Sequence, residues 1–236
     1  SGSAAAINQV IDRSADASMN RTDKRPLPQG DISPIHASIF ALFIGFLGAL
    51  ILYIFVNTLT MYLTIASLIG YAFIYTVYLK RATPQNIVIG GLAGAAPPLW
   101  GWTSITNSID AYSLLLVLII FIWTPPHFWA LAIYRKDEYA KESIPMLPVT
   151  HGVAFTKLQI VLYTIILFLV SLLPYIVLMS GVIYLISALV LSSVFLYYAI
   201  KLYLGEGDEY AMKTFTYSIY YIFLIFIALL ADHFIL

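Results

Sequence analysis

The chain has no cysteine, and only 10% of its 236 residues are charged. Without thiols there is no disulfide framework, no thiolate nucleophile and no cysteine-based metal site. Soluble domains carry about a quarter charged residues, so this composition excludes an ordinary water-exposed globular surface. Strict apolar/polar alternation is also missing, which argues against the wall of a transmembrane barrel. What remains is apolar: 61% of the residues are hydrophobic, mostly in continuous runs. A helix needs roughly 20 such residues to cross a bilayer core. Seven runs reach that length, at about 35–56, 59–79, 86–106, 111–134, 158–180, 182–204 and 213–235. They predict an all-α membrane protein in which residues 1–236 form one transmembrane domain, with little room for a separate soluble part. Lys and Arg balance Asp and Glu at 12 each, and nucleic acid is not an expected partner.

The basic residues fall on one side. Arg13, Arg21, Lys24, Arg25, Lys80, Arg81, Arg135, Lys136, Lys141, Lys157, Lys201 and Lys213 lie in or beside alternate connections. The intervening connections at 57–58, 107–110 and around Gly181 hold no Lys or Arg. That asymmetry places the charged loops in the cytoplasm or an equivalent compartment. No signal-peptide pattern opens the chain. Ser1–Ile11 reads as the last turns of a helix already under way, giving seven complete spans plus the end of one.

Two loop segments on the basic side stand out, Asp12–Pro34 and Arg135–Gly152. Each opens with charge at a helix exit and closes on a proline-bracketed clip, Pro26-Leu27-Pro28 or Pro145-Met146-Leu147-Pro148. Proline stops a helix and favours an extended or turn backbone, so each segment is expected to emerge, present charge and fold back. Two spans are expected to be interrupted, at Pro97-Pro98 and at Pro125-Pro126. Broken backbone at membrane depth survives only where protein or a wet cavity satisfies it, so each break marks either a pocket wall or a packing kink. Gly90-x-x-x-Gly94 predicts close helix contact near the first break.

Asn8, Asp12 and Asp16 recur every four residues and line one helical stripe, because four residues turn an α-helix only about 40° past a full turn. Asp137, Glu138 and Glu142 form a second acidic group at another helix exit. Clustered carboxylates repel one another unless something neutralises them. Oxygen ligands of this kind suit Mg²⁺, which commonly joins a few carboxylates to substrate phosphates. Arg21, Lys24, Arg25, Lys80, Arg81, Arg135 and Lys136 are positioned in sequence to clamp anionic oxygens. Singly, such residues are ordinary juxtamembrane charges meeting lipid headgroups. Together, at the mouth of an apolar bundle, they suit a lipid diphosphate with its head on Mg²⁺ and its tail between helices.

Several stretches carry a family resemblance. Asn8–Asp16 (NQVIDRSAD) resembles the first aspartate-rich motif of the UbiA superfamily of intramembrane prenyltransferases. Met19–Leu27, Leu79–Gly91, Ala93–Trp102, Trp123–Ile133 and Ile144–Val149 resemble its haem-farnesylating branch, in the right order. The resemblance is dense to about residue 152 and weaker beyond. It implies a UbiA-like bundle of nine transmembrane helices, of which the first and most of the second would be absent here. It also implies transfer of a farnesyl group from farnesyl diphosphate to a vinyl group of haem B. The site would lie on the cytoplasmic or matrix side of a bacterial cytoplasmic or mitochondrial inner membrane. Mg²⁺ would then be held by Asp12, Asp16, Asp137 and Glu138, with Asn8 ligating or orienting, and Arg21, Arg25, Lys80, Arg81, Arg135 and Lys136 contacting diphosphate or haem propionates. Haem A synthase or terminal-oxidase assembly would be the downstream partner. The second motif reads Asp137-Glu138 where the branch often has two aspartates, and Glu142-Ser143 stands where small residues are usual.

His127 follows the second proline pair inside a span, where a polar side chain needs a reason. It either contacts haem or hydrogen-bonds backbone freed by the prolines. Two rival functions share some of these features. A related transferase with a quinone-precursor acceptor would use the same aspartates. A transporter would also break its helices, but would place polar groups deep in several spans.

Overall fold

The computed structural model describes residues 1–18, 22–79, 82–142 and 144–235, and every regular element among them is helical. Among the described residues six helices are long and apolar enough to cross a bilayer: Pro34–Phe55, Thr58–Leu79, Ala111–Tyr134, Val153–Ile176, Val182–Leu204 and Glu209–Ile235. The chain is an integral, multi-pass membrane protein. The third apolar run, 86–106, is not one helix but two, Asn86–Gly94 and Pro97–Thr106. Proline lacks an N–H and its ring clashes with the carbonyl four residues back, so Pro97 and Pro98 begin a new helix instead of continuing the old one.

The chain divides into two compact units, Ser1–Ile109 with Ala140–Pro145, and Asp110–Tyr139 with Met146–Leu236. In the first, α1 (Gly2–Ile11), α2 (Arg13–Ser18) and the single turn α3 (Pro26–Gln29) lead into α4 (Pro34–Phe55). Ser33 caps α4 by accepting from the His36 N–H at 3.2 Å, with Pro34 at the first helical position. Only Ala41 of α4 is buried, and an apolar circumference of this kind is that of a membrane span. α5 (Thr58–Ile69) starts at Asn57, whose side chain accepts from the Thr60 N–H and donates to the Thr103 carbonyl at 2.8 Å. At Gly70 the backbone widens into a π-helix that runs to Leu79. α6 (Asn86–Gly94) packs against this π segment. A side chain at Gly90 would overlap the Tyr75 ring, so half of the expected glycine contact is present; Gly94 meets nothing. α7 (Pro97–Thr106) closes back on α5 through a 2.8 Å hydrogen bond between the Thr103 and Thr60 hydroxyls.

The second unit is a four-helix arrangement of α8 (Ala111–Tyr134), α11 (Val153–Ile176), α12 (Val182–Leu204) and α13 (Glu209–Ile235). The short elements α9 (Lys136–Lys141) and α10 (Leu147–Thr150) follow α8 in the chain. Ile119, Leu167, Phe195, Tyr221 and Ile225 fill its core. Buried hydroxyls there are paired: Tyr221 Oη lies 2.6 Å from Ser171 Oγ, and Tyr184 Oη donates to the Ser171 carbonyl at 2.8 Å. Asp232 of α13 accepts from the Gly181 and Tyr184 N–H groups, capping α12 from a neighbouring helix. Lys157 donates to the Gly205 and Gly207 carbonyls at 3.1 and 2.8 Å and pairs with Asp208, pinning the α12–α13 turn.

The expected interruption at Pro125-Pro126 does not occur: α8 runs unbroken through both prolines. Both rings are buried in packed protein, and the Thr124 hydroxyl bonds the Ile120 carbonyl at 2.8 Å. A spanning helix tolerates proline where packed protein surrounds it, as it does here.

Candidate active site

The four-residue stripe survives into three dimensions. Asp12 ends α1 with a slight hitch, yet the backbone bonds Asp12 N–H to Asn8 O (2.9 Å) and Asp16 N–H to Asp12 O (2.8 Å) carry helical spacing across it. Both carboxylates are buried, Asp12 at 3% and Asp16 at 6% exposure. Asn8 Nδ2 donates to Asp12 Oδ2 at 3.0 Å and stands 3.2 Å from Thr76 Oγ1. Thr76 is brought there by the π segment, and its own hydroxyl reaches the Tyr71 carbonyl five residues back at 2.9 Å. Arg25 Nη1 forms a 2.7 Å ion pair with Asp16 Oδ2, and Thr22 Oγ1 bonds the Asp16 carbonyl at 3.0 Å. Arg25 is therefore engaged with the acid stripe through Nη1.

Among the described residues no three Asp, Glu or His side chains converge as a ready-made metal cage. Mg²⁺ does not need one: it keeps waters and binds through one or two carboxylates plus substrate phosphates. Two buried carboxylates one turn apart, all-oxygen in character, fit that requirement. A cavity of about 300 Å³ lies beside α1 in the same unit. Ser1, Ala4 and Ala5 line it, so it meets the start of the helix whose C-terminal end carries Asn8 and Asp12. Pro97 forms part of its wall, which makes the first proline pair a pocket feature, and Thr64, Ser67, Tyr71 and Trp100 contribute the polar groups. Trp100 Nε1 is buried there without a hydrogen-bond partner.

The second acidic group is differently placed. Asp137 is exposed and Glu138 partly exposed on α9, with Arg135 Nη1 3.8 Å from Glu138 Oε2. Arg135 Nε is buried without a partner, and Lys136 is half-buried. Arg21, Lys80 and Arg81 lie outside the described residues. The two proline clips are alike in backbone: Arg25 and Met146 are extended (ψ 149° in both), and each precedes one helical turn rather than an extended strand. Gly30 and Gly152 follow with φ of +83°, a conformation that favours glycine.

His127 sits inside the second unit at 8% exposure. Its ring is sandwiched between Trp123 (4.3 Å between centroids) and Phe215 (4.6 Å), with Phe128 edge-on. Nδ1 lies 2.6 Å from Ser218 Oγ, so its bond goes to a side chain of α13 and not to backbone freed by the prolines. Thr76, Tyr71 and Ser218 were not singled out from sequence. Gly70 was the only local hint of the π segment, and nothing near Ser218 marks it.

The chain thus joins a multi-pass helical fold to two buried carboxylates and a cavity in the same unit, the features of a membrane-embedded helical protein with a polar site. The model of the UbiA prenyltransferase family matches residues 1–230, and the chain belongs to that family. It is 63% identical over 235 residues to a protoheme IX farnesyltransferase 1 of Pseudomonas fluorescens, covering 100% of this chain and 79% of that protein. It is 61% identical over 233 residues to the protoheme IX farnesyltransferase of Methylococcus capsulatus, covering 99% and 78%. Among solved structures, a digeranylgeranylglyceryl phosphate synthase superposes with a TM-score of 0.82 at 20% identity, covering 99% of this chain and 81% of that one. A UbiA homologue of Archaeoglobus fulgidus bound to DMAPP and Mg²⁺ superposes with a TM-score of 0.64 at 14% identity, covering 96% and 82%. These last two likenesses establish the fold.

Proposed function

We propose that this protein is an enzyme that transfers the farnesyl group of farnesyl diphosphate to a vinyl group of haem B, giving haem O and diphosphate. The observation that carries the reading is its 58–63% identity, over nearly the whole chain, to proteins named protoheme IX farnesyltransferase. The Asn8–Asp12–Asp16 stripe with its two buried carboxylates, and a 300 Å³ cavity in the same unit, support it chemically. That cavity offers the isoprenoid tail an apolar wall against the start of α1, the helix that Asp12 ends.

The demanding step is heterolysis of the allylic C–O bond, whose electron pair leaves with diphosphate. Mg²⁺, held by Asp12 and Asp16 and assisted by Asp137 and Glu138, would supply positive charge to the leaving oxygens. Asn8, bonded to Asp12 Oδ2, keeps that carboxylate in one orientation. Arg25 offsets the second carboxylate and so lowers the cost of holding two acids one turn apart. Arg21, Lys80, Arg81, Arg135 and Lys136 are the cationic groups proposed for diphosphate and propionate oxygens. The vinyl terminus forms the new C–C bond to the allylic carbon. Water adds its oxygen to the cation left beside the pyrrole and releases a proton, leaving a hydroxyethylfarnesyl substituent. His127 is proposed to contact haem. The clustering of Lys and Arg in alternate loops supports a site on the cytoplasmic or matrix side of the membrane, and the product would pass to haem A synthase or terminal-oxidase assembly.

The test is to incubate membranes bearing the protein with haem B, farnesyl diphosphate and Mg²⁺, and to analyse the extracted haem by mass. A hydroxyethylfarnesyl haem is expected. Unmodified haem B alongside a prenylated quinone precursor would assign the chain to the other acceptor class.

A further inference from the structure

Ser218 makes two hydrogen-bond contacts through one hydroxyl. Its Oγ lies 2.5 Å from the Phe215 carbonyl oxygen and 2.6 Å from His127 Nδ1. A carbonyl can only accept, and a serine hydroxyl carries one proton. With that proton directed to Phe215 O, Ser218 Oγ must accept from His127, and Nδ1 must bear the hydrogen. A neutral imidazole has one protonated nitrogen, so Nε2 is left with its lone pair. Nε2 makes no hydrogen bond among the described residues and is not a fully buried atom. Stacking on Trp123 and Phe215 stops the ring from tilting, and Trp123 is itself fixed by a 2.8 Å bond from its Nε1 to the Ser218 carbonyl.

We infer that Ser218 is a positioning residue for haem recognition: it locks His127 in the Nδ1–H tautomer and so presents an unprotonated Nε2 to the porphyrin iron. The inference rests on the proposed contact of His127 with haem. A partner on the distal nitrogen that sets tautomer and ring orientation is the usual support of a metal-binding histidine. The assignment extends the site to α13, a helix that carries none of the sequence motifs.

The experiment uses the detergent-solubilised protein labelled with ¹⁵N-histidine, with the His127→Gln spectrum subtracted to isolate the His127 signal. Wild-type protein is expected to show a protonated Nδ1 and an unprotonated Nε2. Ser218→Ala removes the hydroxyl but keeps the backbone carbonyl that holds Trp123, so the aromatic sandwich remains. In that variant the Nδ1–H signal should give way to Nε2–H, and KM for haem B should rise about tenfold, the lower range for losing such a support, with KM for farnesyl diphosphate unchanged. Ser218→Thr, which keeps a hydroxyl, should restore both readouts. A protonated Nε2 in the wild type would overturn the assignment. A tautomer change in Ser218→Ala without any change in haem KM would instead remove the haem contact itself, while haem O formation by the wild type separately tests the overall activity.

Discussion

Asn8 and Thr76, 68 positions apart, meet at 3.2 Å, and the same Asn8 amide nitrogen donates to Asp12 Oδ2 at 3.0 Å. The π segment thus reaches the acid stripe through one amide. Replacing Thr76 with Val keeps its shape and removes the hydroxyl, leaving Asn8 less constrained. A buried hydrogen bond of this kind contributes about 1 kcal/mol, so kcat/KM should fall about fivefold. A steady-state comparison with wild type checks this, and an unchanged value would show that the Asn8 orientation does not depend on the π segment.

Asp12→Asn or Asp16→Asn keeps side-chain size and removes charge. Either change should abolish haem O formation while the protein remains inserted in the membrane, as read by mass analysis and membrane fractionation. Chelation of divalent metal should stop the wild-type enzyme equally, and added Mg²⁺ should restore it. Wild-type yield from either variant would remove the metal assignment.

Trp100 lines the cavity with an unpartnered indole nitrogen. Trp100→Ala should lengthen the space available to an isoprenoid tail. Each newly buried CH₂ is worth about 0.8 kcal/mol, so even two accommodated carbons shift preference by about tenfold. The ratio of kcat/KM for geranylgeranyl over farnesyl diphosphate should rise accordingly; a constant ratio would mean the tail lies elsewhere.

Asp232 is buried at 1% exposure and caps α12 far from the acid stripe in sequence. Asp232→Ala strips the acceptor from two helix-terminal N–H groups, a loss of about 1–2 kcal/mol by analogy with other capping residues. The expected result is a lower unfolding midpoint in detergent with near-normal turnover at low temperature. Lost turnover with an unshifted midpoint would give Asp232 a role in the reaction.

Local periodicity explains what could be read without coordinates. The spans follow from run length, and the Asn8–Asp12–Asp16 stripe follows from 3.6 residues per turn, which the Asp12 hitch does not disturb. Pro97-Pro98 split its helix as its chemistry dictates. Pro125-Pro126 did not, because burial among neighbouring helices outweighed the local rule.

By itself the sequence determined that the chain lives in a bilayer, that its acids recur along one helix face, and that its motifs are those of an intramembrane prenyltransferase. All three depend on composition or on neighbours within a turn or two. Only the tertiary structure decided that Arg25 would neutralise Asp16, that Thr76 would meet Asn8, and that Ser218, 91 residues from His127, would hold its ring. Those contacts arise from how whole helices and loops pack, and no short-range periodicity encodes which distant hydroxyl or cation will arrive.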